Sequence, residues 1–209
     1  MKEKKMMIIT SLVCLLPVLL GAVLYPQLPE QIATHFDSHG VANGYSPKAF
    51  AVFGLPVFLA VINAICHVAI ANDPKRSNSA PVIANISKWI CPVCSIIINP
   101  VMYLIALGYD NMPVTMITTM LVSMLIIILG AYMPKCKQNY TIGIKLPWTL
   151  HDEENWNKTH KFAGMVWVIG GSVMLIAGLF EVMWGVGAVL AVIVVAPAVY
   201  SFVYYKKNK

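Results

Sequence analysis

The residues best suited to chemistry are few and widely spaced. His35, Asp37 and His39 follow one another at intervals of two. Side chains alternate along an extended strand, so this spacing would put three ligand types for a divalent metal on one face. Metal capture needs three or four donors converging at fixed geometry, and the same three residues equally suit a turn with a backbone-bonded histidine and two solvated neighbours. No metal or cofactor is assigned. Cys91-Pro92-Val93-Cys94 has the spacing of a thiol redox pair. The 5 cysteines are odd in number, none lies in an expected outer loop, and no second pair could relay electrons. Small helix-packing residues account for them, and a disulfide framework does not. Asp152, Glu153 and Glu154 supply three carboxylates, but consecutive residues on a helix point in different directions. Acids at a helix start complement its positive end without further function. No phosphate loop, HExxH motif or Ser-His-Asp spacing is present, so the chain reads as a non-enzyme.

The elements that must position these residues follow from composition. Hydrophobic residues make up 58% of the 209 and charged residues only 11%, a membrane composition. The +6 formal charge sits in short clusters between long uncharged stretches. Phosphate-gripping patches need a solvated face, so direct nucleic-acid binding is excluded. A helix needs about 20 mainly apolar residues to cross a bilayer. Six such runs occur, Met6 to Tyr25, Ala49 to Ala71, Trp89 to Leu107, Val114 to Met133, Phe162 to Phe180 and Val182 to Tyr205, none with an internal Asp, Glu, Lys or Arg. The expected fold is all-α, a polytopic membrane protein with six transmembrane helices and both termini cytoplasmic. That orientation keeps 14 of the 15 Lys and Arg inside and only Lys48 outside. The first run is long for a signal-peptide core and Leu20-Gly21-Ala22 is a poor cleavage site, so it is read as a retained anchor. Kinks are expected at Pro17, Pro56, Pro92, Pro100 and Pro197.

The outer loop, residues 26–47, is expected to fold as a hairpin-like cap. Ile32, Thr34 and Phe36 alternate as a strand would, and Gly40 and Asn43-Gly44 suit positive φ. Phe36 and Tyr45 would lie at the membrane interface. Within the spans, Asn63 and His67 share a helix face and Asn99 lies mid-helix, positions suited to interhelical hydrogen bonds. The lack of a mid-membrane carboxylate argues against a charge-coupled transporter. Gly164, Gly170, Gly171 and Gly178 with Gly185, Gly187 and Ala191 suggest that the last two helices pack as a hairpin, with Glu181 at their turn.

The inner loop, residues 134–161, ends in a helix start. Thr149 could cap the amide of Asp152, Glu154 and Lys158 pair at i and i+4, and Trp156, His160, Ala163 and Trp167 form one stripe. That helix would run along the membrane surface, anchored by Trp148 and Trp156, before turning inward.

These residues carry a resemblance. Ile142-Gly143-Ile144-Lys145-Leu146-Pro147-Trp148-Thr149-Leu150, followed by Asp152-Glu153 and Trp156, resembles the signature of the SdpI family of bacterial immunity proteins. Leu28-Pro29 through Ile32, His35-Phe36, Gly40 and Asn43-Gly44 to Lys48 is similar to the amino-terminal module often joined to it, with Ala33 in place of an expected proline. The resemblance implies two modules, residues 1–110 and 111–209, and a multi-pass protein of the bacterial cell membrane that protects the cell from a secreted peptide toxin. In the best-known member's system the immunity protein also holds a repressor at the membrane and so relieves repression of its own operon. Outer ligand-binding candidates are His35, Phe36, Asp37 and Tyr45. Inner partner-binding candidates are Lys145, Trp148, Thr149, Asp152, Glu153 and Trp156, for which anchoring and capping are the simpler roles. A small-molecule or peptide transporter is the alternative class.

Overall fold

The computed structural model of the chain describes residues 2–76, 81–109 and 111–208. Lys209 and the side chain of Lys2, both counted in the charge bias, lie outside the described residues. Helix α1 (Lys2–Leu24) leads to an antiparallel pair, β1 (Gln31–Phe36) and β2 (Ala42–Pro47). Then come α2 (Leu55–Ala71), α3 (Pro81–Ala106), α4 (Val114–Tyr132), the short α5 (Pro147–His151), α6 (Glu153–Leu179) and α7 (Met183–Lys207). All of these helices except α5 are long and apolar enough to cross a membrane, giving 6 spans among the described residues. The chain divides into two compact units, Met1–Val68 with Lys88–Thr118, and Ala69–Ser87 with Thr119–Lys209.

In the first unit the apolar centre is Leu28, Ile32, Ala51, Val52, Met102 and Tyr103. Proline shapes one wall of it. Pro56 has no N–H to offer the carbonyl of Val52, four residues earlier. The chain widens into a π turn at Phe50–Gly54, where Leu55 N–H bonds Phe50 O, and the hydroxyl of Tyr103 points at the freed Val52 carbonyl from 3.5 Å. Polar side chains join α2 and α3 to α1. Asn63 Nδ2 donates to Thr10 Oγ1 at 2.8 Å, Thr10 Oγ1 lies 2.9 Å from His67 Nε2, and Ser95 donates to the Cys14 carbonyl at 2.7 Å. Asn63 and His67 thus make the expected interhelical bonds. The Asn99 amide instead turns back onto Ser95 in its own helix.

Two helices begin earlier than their apolar runs. α3 starts at Pro81, not Trp89, and α6 at Glu153, not Phe162. Helical hydrogen bonds do not require apolar side chains, and a proline is pre-set for the first helical position. The extension brings Lys88 inside α3, where it is 2% exposed and pairs with Glu3 at 2.6 Å. The expectation of apolar helices free of charge is corrected at that point.

In the second unit, α6 faces two neighbours through its glycines. A Cβ at Gly170 would meet Ile193 of α7 at 2.5 Å, and Trp167 Nε1 donates to the Ile193 carbonyl at 2.9 Å. Gly164, Gly171 and Gly178, spaced by seven, face α4: a Cβ there would lie 2.8 Å from Gly130 O, 2.8 Å from Ile127 Cγ1 and 2.6 Å from Thr119 Cγ2. Most of the small residues of α6 therefore serve its contact with α4, and Gly187 meets nothing within 4 Å. The exposed Glu181 makes the α6–α7 turn at φ 56°.

Candidate functional site

Two connections carry the expected site residues, one in each unit. The hairpin is held from below by Ile32, fully buried in the first unit's core. Its ladder pairs Ala33 with Tyr45, His35 with Gly44 and Phe36 with Ala42, with irregularities on both sides of His35. The Lys48 ammonium closes the open end on Glu30 at 2.8 Å, 4.8 Å from the Tyr25 ring centroid. Glu30 accordingly holds the Lys48 pKa above its usual range.

The tip departs from expectation. Asn43 and Gly44 lie within β2, and the reversal is made by residues 37–41. Asp37 explains this, because its Oδ1 accepts the amides of His39 at 2.8 Å and Val41 at 2.9 Å, an Asx turn completed by Gly40 at φ 78°. Those amides, Val41 first, hold the carboxyl below the usual carboxylate range. β1 ends at Phe36, so the proposed ligand face does not extend to His39. His35 Nδ1 lies 2.5 Å from Asn43 Oδ1, and no group of three metal-ligating residues gathers among the described residues. Beneath the hairpin, Thr34, His35, Phe36 and Asp37 form one side of a pocket of about 230 Å³ whose other walls come from α3 and α4. His35 and Tyr45 are exposed, while Phe36 and Asp37 are half-buried.

The second connection, between α4 and α6, is a folded platform. Trp156 is fully buried, stacks on His160 with centroids 4.0 Å apart, and donates its indole N–H to the Cys136 carbonyl at 2.6 Å. His160 Nε2 accepts the Ile144 amide at 3.0 Å while Nδ1 faces the Trp156 carbonyl at 2.8 Å, which fixes a neutral Nδ1–H tautomer. The stacked rings form a floor for Gly143. At φ 119° and with His160 Nε2 only 2.4 Å from where a Cβ would sit, only glycine fits. Asn139 Oδ1 accepts the amides of Thr141 and Ile142, and Gln138 Nε2 donates to the carbonyls of Thr149 and Leu150. Asp73, from the α2–α3 connection in the same unit, accepts the Tyr140 amide at 2.9 Å and the Lys75 amide at 2.7 Å. Burial pushes its carboxyl up, but the Thr141 hydroxyl and the amides of Lys75, Tyr140 and Thr141 outweigh that and hold it below the usual range. Burial also raises the Cys136 thiol to about 11, which leaves it unreactive at neutral pH.

The comparisons with known proteins match both connections. Residues 135–205 match the profile of the SdpI/YfhL protein family, and residues 12–60 match a domain of unknown function, DUF1648. The chain is also 27% identical over 207 residues to "Immunity protein SdpI" of Bacillus subtilis (strain 168), a likeness covering 98% of this chain and 97% of that protein. The carboxy-terminal third of the chain thus resembles the SdpI/YfhL family, and the chain as a whole resembles that immunity protein. No solved structure matches the chain. With six helices long and apolar enough to span, the chain is a multi-pass membrane protein.

The geometry shows what the SdpI-like segment of the platform does. Thr149 does not cap Asp152. Fully buried, its Oγ1 accepts the Leu146 amide at 2.9 Å and donates to the Ile144 carbonyl at 2.8 Å. Asp152 itself caps α6, accepting the amides of Glu154 at 2.9 Å and Asn155 at 3.1 Å. Trp156 is no membrane anchor. Its ring is the core under Ile142 and Leu150, so neither Trp156 nor Thr149 meets solvent. Trp148 packs onto α7, donating to Ser201 Oγ at 2.9 Å beside the Phe202 and Tyr205 rings. Lys145 and Glu153 are exposed, and the expected Glu154–Lys158 pair forms at 2.9 Å. Asp73, Gln138 and Asn139 were missed as contributors, and His160, placed on a stripe with Trp156, was not given its bond to Ile144. Their partners are distant in sequence or are backbone groups, and only the polarity of Gln138-Asn139 beside Cys136 hinted at them.

Proposed function

We propose that this chain is an integral membrane immunity protein that gives resistance to a secreted antimicrobial peptide toxin. The observation that carries this reading is the end-to-end likeness, 98% of the chain, to a protein named for immunity. Both termini are cytoplasmic in this proposal, which places the hairpin outside and the platform inside. His35, Phe36, Asp37 and Tyr45 then meet the peptide. Lys145, Trp148, Asp152 and Glu153 offer a face to a cytoplasmic repressor, while Thr149 and Trp156 act indirectly by holding that face in shape. The modules 1–110 and 111–209 divide these tasks, and no catalytic step is assigned. For the two faces to communicate, the peptide must bind two conformations unequally, because equal affinity shifts no equilibrium.

The test is survival. Expressed in a toxin-sensitive strain that lacks its own immunity protein, the chain should protect against at least one secreted antimicrobial peptide without requiring the proton gradient. Uniform sensitivity, with membrane insertion confirmed, overturns the reading. Repressor capture should disappear in Trp148→Ala and Asp152→Ala, and unchanged capture in both removes the inner assignment. One observation favours a second reading, transport: Lys88, buried and paired with the more exposed Glu3, is a charge within a helix long and apolar enough to cross a membrane. Gradient-dependent exclusion of a labelled peptide would select it.

A further inference from the structure

The pocket beneath the hairpin has two unlike surfaces. Ile98, Val101, Met102, Val114 and Ile117 make its walls apolar, while Asp37 is the one formal charge among the lining residues, with no Lys or Arg beside it. The His39 and Val41 amides both donate to Oδ1 of the Asp37 carboxylate, which leaves Oδ2 for a further donor. The hairpin's own cation, Lys48, sits at the opposite end and is occupied with Glu30, and His39, two residues on from Asp37, is an exposed imidazole at the tip. Size limits the occupant. A dry cavity of about 150 Å³ accepts benzene, whereas drug-sized ligands fill about 300 to 1,000 Å³. At about 230 Å³ this pocket suits one large apolar side chain and no more.

We propose that the pocket receives a single bulky apolar side chain of a cationic peptide, with a neighbouring ammonium or guanidinium seated on Asp37 Oδ2. The inference deepens the immunity reading and rests on it for the word peptide. It specifies that the ligand is cationic and carries an apolar anchor, and that an acidic peptide of the same shape is rejected. Desolvated apolar contact supplies the attraction, and the lone carboxylate supplies the sign of charge that is accepted.

The full-length protein, in lipid nanodiscs with ¹³C-methyl methionine, reports occupancy through Met102 in the pocket wall. Three probes share one ring and differ in charge: 2-phenylethylamine, 2-phenylethanol and 3-phenylpropanoate. The amine should shift the Met102 methyl signal saturably and at least about tenfold more tightly than the alcohol, and the carboxylate should leave it unmoved. Asp37→Asn keeps an Oδ1 acceptor for both turn amides and should bring the amine down to the level of the alcohol. Val101→Trp fills the pocket and should abolish every shift. Equal response to amine and carboxylate, an unaffected Asp37→Asn, or no Met102 shift with any probe overturns the proposal. In the survival assay, protection that persists in Val101→Trp removes the pocket and leaves the immunity reading standing. Selective amine binding in a chain that protects against no peptide does the reverse.

Discussion

The hairpin and the platform are both short connections between apolar helices, yet they are held by opposite means. The hairpin rests on one fully buried side chain, Ile32, while Val41 and Tyr45 are about 60% exposed and its polar side chains bond one another near solvent. In the platform Asn139, Thr149, Asn155, Trp156, Thr159 and His160 are all fully buried, and most of their polar atoms serve backbone groups. A loop whose amides are satisfied by buried side chains has one shape, because each alternative leaves a donor or acceptor without a partner. A hairpin pinned at one point can lift or twist at small cost. The difference fits the roles proposed above, a cap that adjusts to a ligand and a platform that presents a fixed face.

The largest effect expected from this contrast is at Trp156. Replacing it with Ala removes a fully buried aromatic, costs about 3–5 kcal/mol, and leaves the Cys136 carbonyl without its indole donor. Thermal unfolding in detergent should show the loss, with new protease cleavage at Lys137 and Lys145. Ile32→Ala, at the low end of about 2–5 kcal/mol, should free the hairpin while the platform stays protected. If Ile32→Ala exposes the platform to protease as strongly as Trp156→Ala does, the two connections are not independent and the comparison fails.

How much of this was legible depended on the range of each interaction. The spans were legible because length and apolarity are properties of a continuous run, and the strand of Ile32 because alternation is local. The start of α3 was not, since a search for uncharged stretches stops at Lys88 although the helical backbone continues past it, whereas the acids that follow Thr149 marked the start of α6 with only the capping residue misassigned. The hairpin tip was misplaced onto Asn43-Gly44 because that pair is a strong turn signal, whereas Asp37 wins by satisfying two amides at once. Trp156 looked like an interfacial anchor for the same kind of reason. A Trp at a helix start beside charged residues has that local signature, and only contacts with Cys136 and Ile142, 20 and 14 positions away, make it core. The Asp73–Tyr140 bond, 67 residues apart, has no local signature at all.

That bond gives the next prediction. Asp73→Ala leaves the Tyr140 and Lys75 amides without their acceptor, at a cost of about 1–3 kcal/mol. Because the folded carboxyl is held below its ordinary value of 3.8, its contribution is complete above about pH 4 and is lost as pH falls through the lower folded value. Asp37 has the same sign. Both should therefore release on acidification, but Asp37 frees only its own turn whereas Asp73 frees a strut of the platform. The Tyr140 amide resonance should hold constant from neutral pH to about pH 4 and move below it. A transition centred above pH 6 would assign the strut to another group.

The smallest effect isolates burial from residue type. Asn43 and Asn139 are each an asparagine placed beside a backbone reversal, and each carries a side-chain hydrogen bond, so the same substitution can be made in both connections. Asn139→Ala strips the Thr141 and Ile142 amides of their acceptor inside the platform, where water cannot replace it, and should cost about 1–3 kcal/mol. Asn43→Ala removes only the partner of the exposed His35 ring, which water replaces, so stability should stay within about 0.5 kcal/mol of the natural chain. The pair of melting temperatures compares what the surroundings contribute when the side chain deleted is the same but its buried bonds are not. Equal losses at the two sites would mean that the hairpin tip is as firmly built as the platform, and an adjustable cap would then have to be abandoned.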